Sequence, residues 1–169
     1  ICKEDDFKLF KEKYSDVILK PLNGMGGDSI YKFDKTSEDH LKIFKELTNN
    51  YKTMVMVQNF LPEIYDGDYR ILIINGEPFP IGLARIPQKG SFKGNLAAGG
   101  RGEARELSAE QIQASKEIGK ILIQEGILFA GIDMIGSSLT EINITSPTGA
   151  REILTQTGQN PIKALLQSI

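Results

Sequence analysis

Apolar residues recur at helical spacing in three stretches of the chain, and each stretch predicts an amphipathic helix. These helices are expected over residues 3–14, 36–50 and 108–126. Thr36 and Asp39 have the spacing of a capping box for the second helix, as Ser108 and Gln111 do for the third. Two shorter helices are also expected, since a capping side chain directly before proline is typical of a helix start. These two dipeptides are Ser146-Pro147 and Asn160-Pro161.

The segments between the helices carry the alternating or continuous apolar patterns of β-strands. Single strands are expected over residues 15–20, 29–33 and 53–58. Two hairpins are expected where paired runs flank a short turn, one over 69–85 around Asn75-Gly76 and one over 128–144. Because helices interleave with antiparallel hairpins, the sequence predicts an α+β fold with an antiparallel or mixed sheet, rather than a doubly wound parallel one.

Composition and charge exclude several classes of protein. The chain has 169 residues and a net charge of -2, which disfavours nucleic acid as a partner because phosphate-backbone binders carry a basic excess. No apolar run reaches the roughly 18 to 20 residues of a membrane-spanning helix, so no membrane partner is expected. The single cysteine, Cys2, cannot form an internal disulfide and favours a cytoplasmic protein. The single histidine, His40, excludes a metal site built from several histidines.

Arginine is rare and clustered in this lysine-rich chain. Only five of the 20 basic residues are arginine, and four of them lie within 36 residues of one another. The four are Arg70, Arg85, Arg101 and Arg105. Since a guanidinium group binds phosphate or carboxylate with two parallel hydrogen bonds, the cluster indicates recognition of such groups; the alternative is a chance grouping of surface charge.

A glycine-rich loop joins the first two predicted strands. Gly24, Gly26 and Gly27 flank Met25, and neither the Walker pattern nor the dinucleotide fingerprint is present. Backbone N–H groups of such a turn can cradle phosphate oxygens, and Lys20 precedes it in the chain. The alternative is an ordinary hairpin turn.

Three oxygen-bearing side chains interrupt the apolar second hairpin. Glu141 and Asn143 are two residues apart on one strand, hence on one face, and the hairpin can place Asp133 beside them. Such a set suits a hard cation like Mg²⁺, which binds carboxylate and amide oxygens and is shared with substrate phosphates. The alternative is that Glu141 and Asn143 simply face solvent.

Residues 86–106 contain five glycines and no sustained period, which predicts a long loop. Long structureless loops in compact domains are commonly lids or binding loops. Because histidine- or cysteine-based nucleophilic catalysis has no good candidate here, the remaining chemistry is that of positioning, cations and Mg²⁺, as in phosphoryl transfer.

Five longer motifs extend these observations to a family. They are VILKPLNGMGGDSIYKF, VQNFLPEIYDGDYRILIINGEP, LARIPQKGSFKGNLAAGGRGE, GIDMIG and LTEINITSPTGAREI. Together they resemble the bacterial glutathione synthetases, which are ATP-grasp ligases. The resemblance implies an ATP-grasp fold, with residues 1–62 as a first lobe truncated at its N-terminus and 63–169 as a second lobe carrying a lid at 86–106. Members of the family have a further N-terminal half, which contains glycine-binding and oligomer-forming regions and a further nucleotide-contacting lysine. Without that half, this chain by itself is expected to bind ATP weakly and to form no glutathione, and the full-length protein is expected to be a homo-oligomer.

The resemblance also implies an activity and a set of site residues. The family joins γ-glutamylcysteine to glycine with ATP and two Mg²⁺ or Mn²⁺ ions, through an acyl phosphate. The implied ATP-binding residues are Lys20, Gly24, Met25, Gly26, Gly27, Gln58, Asn59, Phe60, Leu61 and Asp68, the last through the ribose. The implied metal ligands are Asp133, Glu141 and Asn143. Lys20, Arg70 and Arg85 would be catalytic, and the substrate residues would be Arg85, Asn95, Arg101, Ser146, Pro147 and Thr148. Lys93 departs from the arginine expected in the lid.

Two other functions remain open at this point. One is a different ATP-grasp ligase, such as a D-alanine–D-alanine ligase or a glutamate ligase, which would differ in the lid and in the Ser146–Thr148 segment. The other is a nucleotide-binding module without turnover.

Overall fold

A computed structural model describes residues 1–24, 29–94 and 99–168 of the chain. The chain forms two compact units, Ile1–Leu61 and Pro62–Ile169. The first unit contains helices α1 (Glu4–Lys13) and α2 (His40–Leu47) and strands β1 (Val17–Pro21), β2 (Tyr31–Phe33) and β3 (Val55–Asn59). Its three strands are antiparallel in the order β2-β1-β3.

The core of the first unit lies on one face of this small sheet. Alternate residues of β1, Val17 and Leu19, are fully buried there because successive strand side chains point to opposite faces. Helices α1 and α2 contribute Phe7 and Phe44, whose rings stack with their centroids 4.5 Å apart. Phe33 and Val55 complete the buried set. The even-numbered residues of β1 are thereby left for the opposite face.

Helix α2 begins later than the sequence predicts, so the capping box at Thr36 and Asp39 is wrong. The carboxylate of Asp34 accepts hydrogen bonds from the backbone N–H and hydroxyl of Thr36 at 2.9 and 2.8 Å. It also accepts one from the hydroxyl of Ser37. Such side-chain bonds to a nearby backbone favour a turn over a helix start, and the helix begins only at His40.

The second unit is built on a larger antiparallel sheet. After a 3₁₀-helix (Pro62–Asp66) come strands β4 (Asp68–Ile74), β5 (Glu77–Pro78), β6 (Ile81–Ile86) and β7 (Arg101–Glu106), then helix α3 (Ala109–Gln124). Strands β8 (Phe129–Ile135) and β9 (Ser138–Asn143) follow, and then helices α4 (Ala150–Thr157) and α5 (Pro161–Gln167). The strand order is β7-β6-β4-β8-β9, and β5 pairs with β4. The observed α+β architecture confirms the predicted fold class.

Strand β4 is buried on both faces, which explains its continuous apolar run. Ile71 and Ile73 pack towards α3 together with residues of β8. Leu72 lies on the opposite face with Leu83 of β6 and Ile153 of α4. Burial of both faces removes the selection for alternating polar residues that a half-exposed strand shows.

Local signals at several element ends are confirmed. Asn75 and Gly76 both have positive φ, 48° and 81°, as the predicted two-residue turn requires. Ser108 and Gln111 form a reciprocal capping box, with bonds of 3.2 and 3.0 Å. Asn160 accepts a hydrogen bond from the backbone of Lys163, so the last helix starts where it was expected.

None of the helices in the described ranges combines the length and the apolar character that a membrane crossing requires.

Other boundaries differ from the sequence predictions. The second strand of the first predicted hairpin is interrupted, since β5 (Glu77–Pro78) pairs with the turn end of β4, whereas β6 begins only at Ile81 and pairs with the start of β4 at Asp68–Arg70. Residues 101–106, expected to be loop, form β7 against β6. The helix expected at Ser146-Pro147 begins only at Ala150, after Gly149 with φ of 110°. Ser146 does not cap it, because its backbone N–H is already turned towards the side chain of Asn143.

Candidate active site

Four charged residues are buried together in the sheet of the second unit. Asp68 and Arg70 lie two apart on β4, and they are the register partners of Arg85 on β6 and Asp133 on β8, respectively. Period-two geometry therefore places all four on the sheet face that also carries Leu72. Their exposed fractions are only 9% for Asp68, 5% for Arg70, 8% for Arg85 and 4% for Asp133.

Asp133 stands at the centre of this group and binds both arginines. Its Oδ1 accepts a bond of 2.5 Å from Nε of Arg70, and its Oδ2 accepts one of 3.0 Å from Nη2 of the same guanidinium. Nη2 of Arg85 lies 2.8 Å from Oδ2. The bidentate geometry of Arg70 is the arrangement for which a guanidinium is better suited than an ammonium group. Asp133, a predicted metal ligand, is thus paired with two arginines.

The carboxylate of Asp68 forms an ion pair with the guanidinium of Arg85. Its Oδ2 lies 2.5 Å from Nη2 of Arg85, and its backbone oxygen accepts a 3.3 Å bond from Nε of that residue. Burial raises the pKa of Asp68 to about 6, although the charge of Arg85 acts in the opposite direction. Burial also lowers the pKa of Arg70, but the hydrogen bond and charge of Asp133 outweigh it and raise that pKa overall. Two carboxylates and two guanidinium groups leave this cluster formally neutral.

Glycines make room for the buried arginine and its neighbours. A Cβ on Gly131 would lie 2.7 Å from Cβ of Pro147 and 2.9 Å from Cδ of Arg70. A Cβ on Gly149 would lie 3.2 Å from Cγ of Arg70. Gly131 and Gly149 are not among the site residues predicted from the sequence, although a glycine inside an apolar strand such as β8 is a signal of close approach.

The predicted metal residues lie together at the β8–β9 pair. Asp133 is the register partner of Glu141, and Gly131 is the partner of Asn143, so the three side chains share one face. Glu141 is exposed and Asn143 is half-buried. Two carboxylates and an amide oxygen are the donors that Mg²⁺ takes in proteins, so these residues fit such an ion. In the part of the chain that the structure describes, no three or more His, Cys, Asp or Glu side chains are arranged so that they could hold a metal ion by themselves.

The segment after β9 connects Asn143 with Arg70. Oδ1 of Asn143 accepts 3.3 Å bonds from the backbone N–H groups of Thr145 and Ser146. Pro147 packs beside Gly131, and both the backbone oxygen and the hydroxyl of Thr148 lie 3.5 Å from Nη1 of Arg70. The structure thus brings the predicted substrate residues Ser146, Pro147 and Thr148 to the cluster.

Further predicted residues lie in the first unit. Lys20 pairs with Met56 and Ile18 with Gln58, so Lys20 and Gln58 share the sheet face opposite the helices. Asn59 ends β3, and Phe60 is buried with Nζ of Lys32 3.9 Å from its ring centroid. Gly24 and Leu61 lie in loops. Met25, Gly26 and Gly27 lie outside the described residues.

The predicted lid is described only in part. Arg101, at the start of β7, has a side chain that is 74% exposed and pairs with Glu103 at 2.5 Å. Glu103 also pairs with Arg105 at 2.6 Å. Gln88 donates a 2.8 Å hydrogen bond to the backbone oxygen of Gly99, which joins the two ends of the loop. The backbone N–H of Lys93 is bonded to Ser91, and Asn95 lies outside the described residues.

Comparison with known proteins identifies close relatives in sequence. Residues 1–158 match the family described as prokaryotic glutathione synthetase, ATP-grasp domain. The chain is 49% identical over 151 residues to glutathione synthetase of Vibrio parahaemolyticus, covering 89% of this chain and 48% of that protein. It is 52% identical over 147 residues to the enzyme of Escherichia coli strain K12, covering 86% and 46%, respectively. The chain thus spans about half the length of the curated relatives it matches.

Solved structures show the same fold at lower sequence identity. The ATP-grasp ligase PsnB, complexed with a precursor peptide and AMPPNP, aligns with a TM-score of 0.69 at 17% identity, over 99% of this chain and 50% of that one. D-alanine–D-alanine ligase from Bacillus anthracis aligns with a TM-score of 0.56 at 14% identity, over 96% and 60%. These similarities show an ATP-grasp fold.

Proposed function

The chain belongs to the ATP-grasp domain family of prokaryotic glutathione synthetases, and we propose that it is the nucleotide-binding and catalytic part of a glutathione synthase. The reaction joins the cysteinyl carboxylate of γ-glutamylcysteine to the amine of glycine and converts ATP to ADP and phosphate. The observation that carries the proposal is the buried cluster of Arg70, Arg85 and Asp133 beside Glu141 and Asn143. The chain is 49% and 52% identical in sequence to two glutathione synthetases, which favours the substrates of those enzymes over the substrates of other ATP-grasp ligases.

Arg70 and Arg85 stabilise the charge that develops during phosphoryl transfer. Transfer of the γ-phosphate to a carboxylate gives an acyl phosphate, and attack by the amine then forms an oxyanion before phosphate leaves. Fixed guanidinium groups stabilise such charge without having to reorganise when the reaction occurs. Within residues 1–24, 29–94 and 99–168, Nη1 of Arg70 makes only the 3.5 Å contacts to Thr148, so it is the group of that side chain best able to turn to a substrate oxygen.

Asp133, Glu141 and Asn143 would hold Mg²⁺ or Mn²⁺. When bound, such an ion neutralises phosphate charge and orients the transferred group. Exposed Glu141 is available for ligation, whereas Asp133 is shared with the two arginines. Asn143 would link the ion to the Ser146–Thr148 segment, which we assign to the dipeptide substrate, because its side chain bonds the start of that segment.

In the first unit, Lys20 and the backbone of 24–27 would bind phosphate oxygens, and residues 58–61 would bind adenine. Lys20 and Gln58 support this assignment by sharing a face of the three-stranded sheet. Residues 86–106, with Asn95 and Arg101, would cover the substrates. Exclusion of water matters in this reaction because an acyl phosphate hydrolyses readily.

The proposal is tested by binding and turnover in one preparation of folded protein. Calorimetry with the non-hydrolysable analogue AMPPNP and Mg²⁺ measures nucleotide binding. A coupled assay measures phosphate release with ATP, γ-glutamylcysteine and glycine, and glutathione is quantified in parallel. Glu77→Gln, an exposed carboxylate paired with Lys116, is the control for Glu141→Gln.

The outcomes separate the competing functions. Phosphate release that requires both γ-glutamylcysteine and glycine supports the synthase. Nucleotide binding with no phosphate release is the result expected of this chain by itself, and the same assay on the full-length protein then decides between the synthase and a nucleotide-binding module. Release with D-alanine instead of the two substrates identifies a different ligase. A folded chain that binds no nucleotide refutes the proposal.

A further inference from the structure

The side chain of Gln156, in helix α4, bonds to the outer edge of strand β7. Its Oε1 accepts a 2.8 Å hydrogen bond from the backbone N–H of Ala104, and its Nε2 donates a 3.0 Å bond to the backbone oxygen of Gly102. The backbone fixes this orientation of the amide, because an N–H group can only donate and a carbonyl oxygen can only accept. Both bonds therefore need a side chain that carries a donor and an acceptor together.

Strand β7 is held in the sheet mainly by backbone hydrogen bonds. It is an edge strand that pairs with β6, and an edge strand presents a row of backbone groups to solvent. None of its six residues, all of which lie in the described ranges, is buried. Side-chain packing therefore contributes little to its place in the sheet, and the amide of Gln156 adds to the bonds from β6 as a further strand would.

These bonds lie where the predicted lid re-enters the sheet. Residues 101 and 102 pair with the last two residues of β6. Gly102 therefore has Arg85, a member of the buried charged cluster, on one side and the amide of Gln156 on the other. Loss of the outer bonds would favour fraying of β7 from this end, since the ends of elements open locally at low free-energy cost.

Helix α4 holds Gln156 in a defined position relative to the charged cluster. Ile153, three residues before Gln156, is fully buried in the same apolar cluster as Leu83 of β6. Residues three apart lie on one face of a helix, so the packing of Ile153 directs Gln156 towards the sheet. Before the helix, a Cβ on Gly149 would lie 3.2 Å from Cγ of Arg70. The helix thus begins at the charged cluster and ends at β7.

We infer that Gln156 is a positioning residue, which holds the base of the lid in the sheet and connects it through α4 to the charged cluster. The inference rests on the proposed function for the role of the lid, which is to keep water from the acyl phosphate. In this role Gln156 acts through the backbone of Gly102 and Ala104 and not by contact with the substrates.

The first test measures hydrogen exchange of backbone amides in the free chain. Gln156→Met removes both hydrogen bonds but keeps the length of the side chain, and Gln159→Met, exposed between α4 and α5, is the matched control. We expect the amide of Ala104 to exchange about tenfold faster in Gln156→Met, as loss of a hydrogen bond predicts. The amides of Glu103 and Arg105, which alternate towards β6, should also exchange faster because the strand frays.

Two results of this test would overturn the inference. If Ala104 exchanges at the same rate in Gln156→Met and Gln159→Met, the side chain does not protect the edge. If Ala104 alone exchanges faster while Glu103 and Arg105 do not, Gln156 covers one amide and does not position the strand.

The second test measures whether the lid keeps water out during turnover, and it uses the full-length protein. Phosphate and glutathione are quantified in the same sample with ATP, γ-glutamylcysteine and glycine. Attack of water on the acyl phosphate returns the dipeptide carboxylate and releases phosphate, so each lost intermediate gives phosphate without glutathione. We expect one phosphate per glutathione for the wild type and Gln159→Met, and more than one for Gln156→Met.

A purely stabilising role predicts a different result. Phosphate and glutathione would then fall together in Gln156→Met, with their ratio unchanged at one, and this would overturn the inference. If the full-length wild type forms no glutathione, the proposed function fails and the role in turnover fails with it. The exchange of Ala104, Glu103 and Arg105 in the free chain still decides in that case whether Gln156 holds β7.

Discussion

Replacing Asp133 by asparagine removes the carboxylate that two buried guanidinium groups share. Arg70 loses its only charged hydrogen-bond partner among the described residues, because both of its short bonds end on Asp133. Arg85 keeps the carboxylate of Asp68. The cluster changes from formally neutral to one excess positive charge, and that charge is buried.

The expected loss of stability follows from this geometry. Breaking a buried ion pair by removing one partner costs about 3 to 5 kcal/mol, since a charge is left without compensation in a poorly solvated site. Arg70 is only 5% exposed and cannot regain the lost interactions from water. This loss would be a large fraction of the roughly 5 to 15 kcal/mol that stabilises an ordinary domain.

Glu103→Gln is the matched control for this prediction. Glu103 also pairs with two arginines, Arg101 at 2.5 Å and Arg105 at 2.6 Å, but Arg101 is exposed and Glu103 and Arg105 are only half-buried. Solvent screens such pairs, so the loss of stability should be much smaller. Urea unfolding followed by circular dichroism gives the free energies. Because the chain has two units, hydrogen exchange of the amides in β4 and β8 assigns the loss to the sheet that holds Asp133.

The comparison of the two variants has a clear refuting result. If Asp133→Asn unfolds at the same urea concentration as Glu103→Gln, with equal protection of β4 and β8, the buried cluster does not need its central carboxylate. The geometry of Arg70 and Asp133 would then carry no net stabilisation, and the view of this cluster as a rigid, pre-organised charge site would be wrong.

Three further predictions concern the same region. Since burial raises the pKa of Asp68 from 3.8 to about 6, the folded state holds a proton that the unfolded chain releases, and stability should fall by about 2 kcal/mol as the pH rises from 4 to 6. Urea unfolding across this range should show the fall in the wild type and not in Asp68→Asn. Gly131→Ala should cost about 1 to 3 kcal/mol, because its Cβ would press on Pro147 and Arg70, and an unchanged melting temperature would contradict this. Glu141→Gln should leave the melting temperature unchanged, since Glu141 is exposed. The same variant should weaken Mg²⁺-dependent nucleotide binding, measured by calorimetry at low and high Mg²⁺. Equal affinities of the wild type and Glu141→Gln for the nucleotide would count against the metal assignment.

Features that depend on a few neighbouring residues could be predicted from the chain alone. The Asn75-Gly76 turn and the Ser108–Gln111 capping box are formed by groups within four residues of each other, so their residue types are sufficient. The two hairpin regions and the α+β class follow from apolar periodicity, which reports which face of an element is buried. The long motifs identified the family, which the matches with curated relatives confirm.

Other features depended on which of several possible partners forms a hydrogen bond with the backbone, and the local sequence pattern does not decide between those partners. Thr36 and Ser146 are both residue types that commonly cap helices. In the structure, however, the side chains of Asp34 and Asn143 accept hydrogen bonds from the backbone N–H groups of Thr36 and Ser146, and the helices begin further along the chain. Residues 101–106 have no apolar period, yet they form β7 because β6 offers an unpaired edge. Backbone hydrogen bonding to a neighbouring strand does not require a particular side chain.

The pairing of the buried charges was beyond the reach of sequence analysis. Asp68, Arg70, Arg85 and Asp133 were each identifiable as candidates, but not as partners. Asp68 meets Arg85 across 17 residues and Arg70 meets Asp133 across 63, through the registers of three strands. A shift of one residue in either register would turn these side chains to opposite faces, because strand side chains alternate with a period of two. The register is fixed by packing of the whole sheet against α3 and α4, and the charges meet only once that packing is complete.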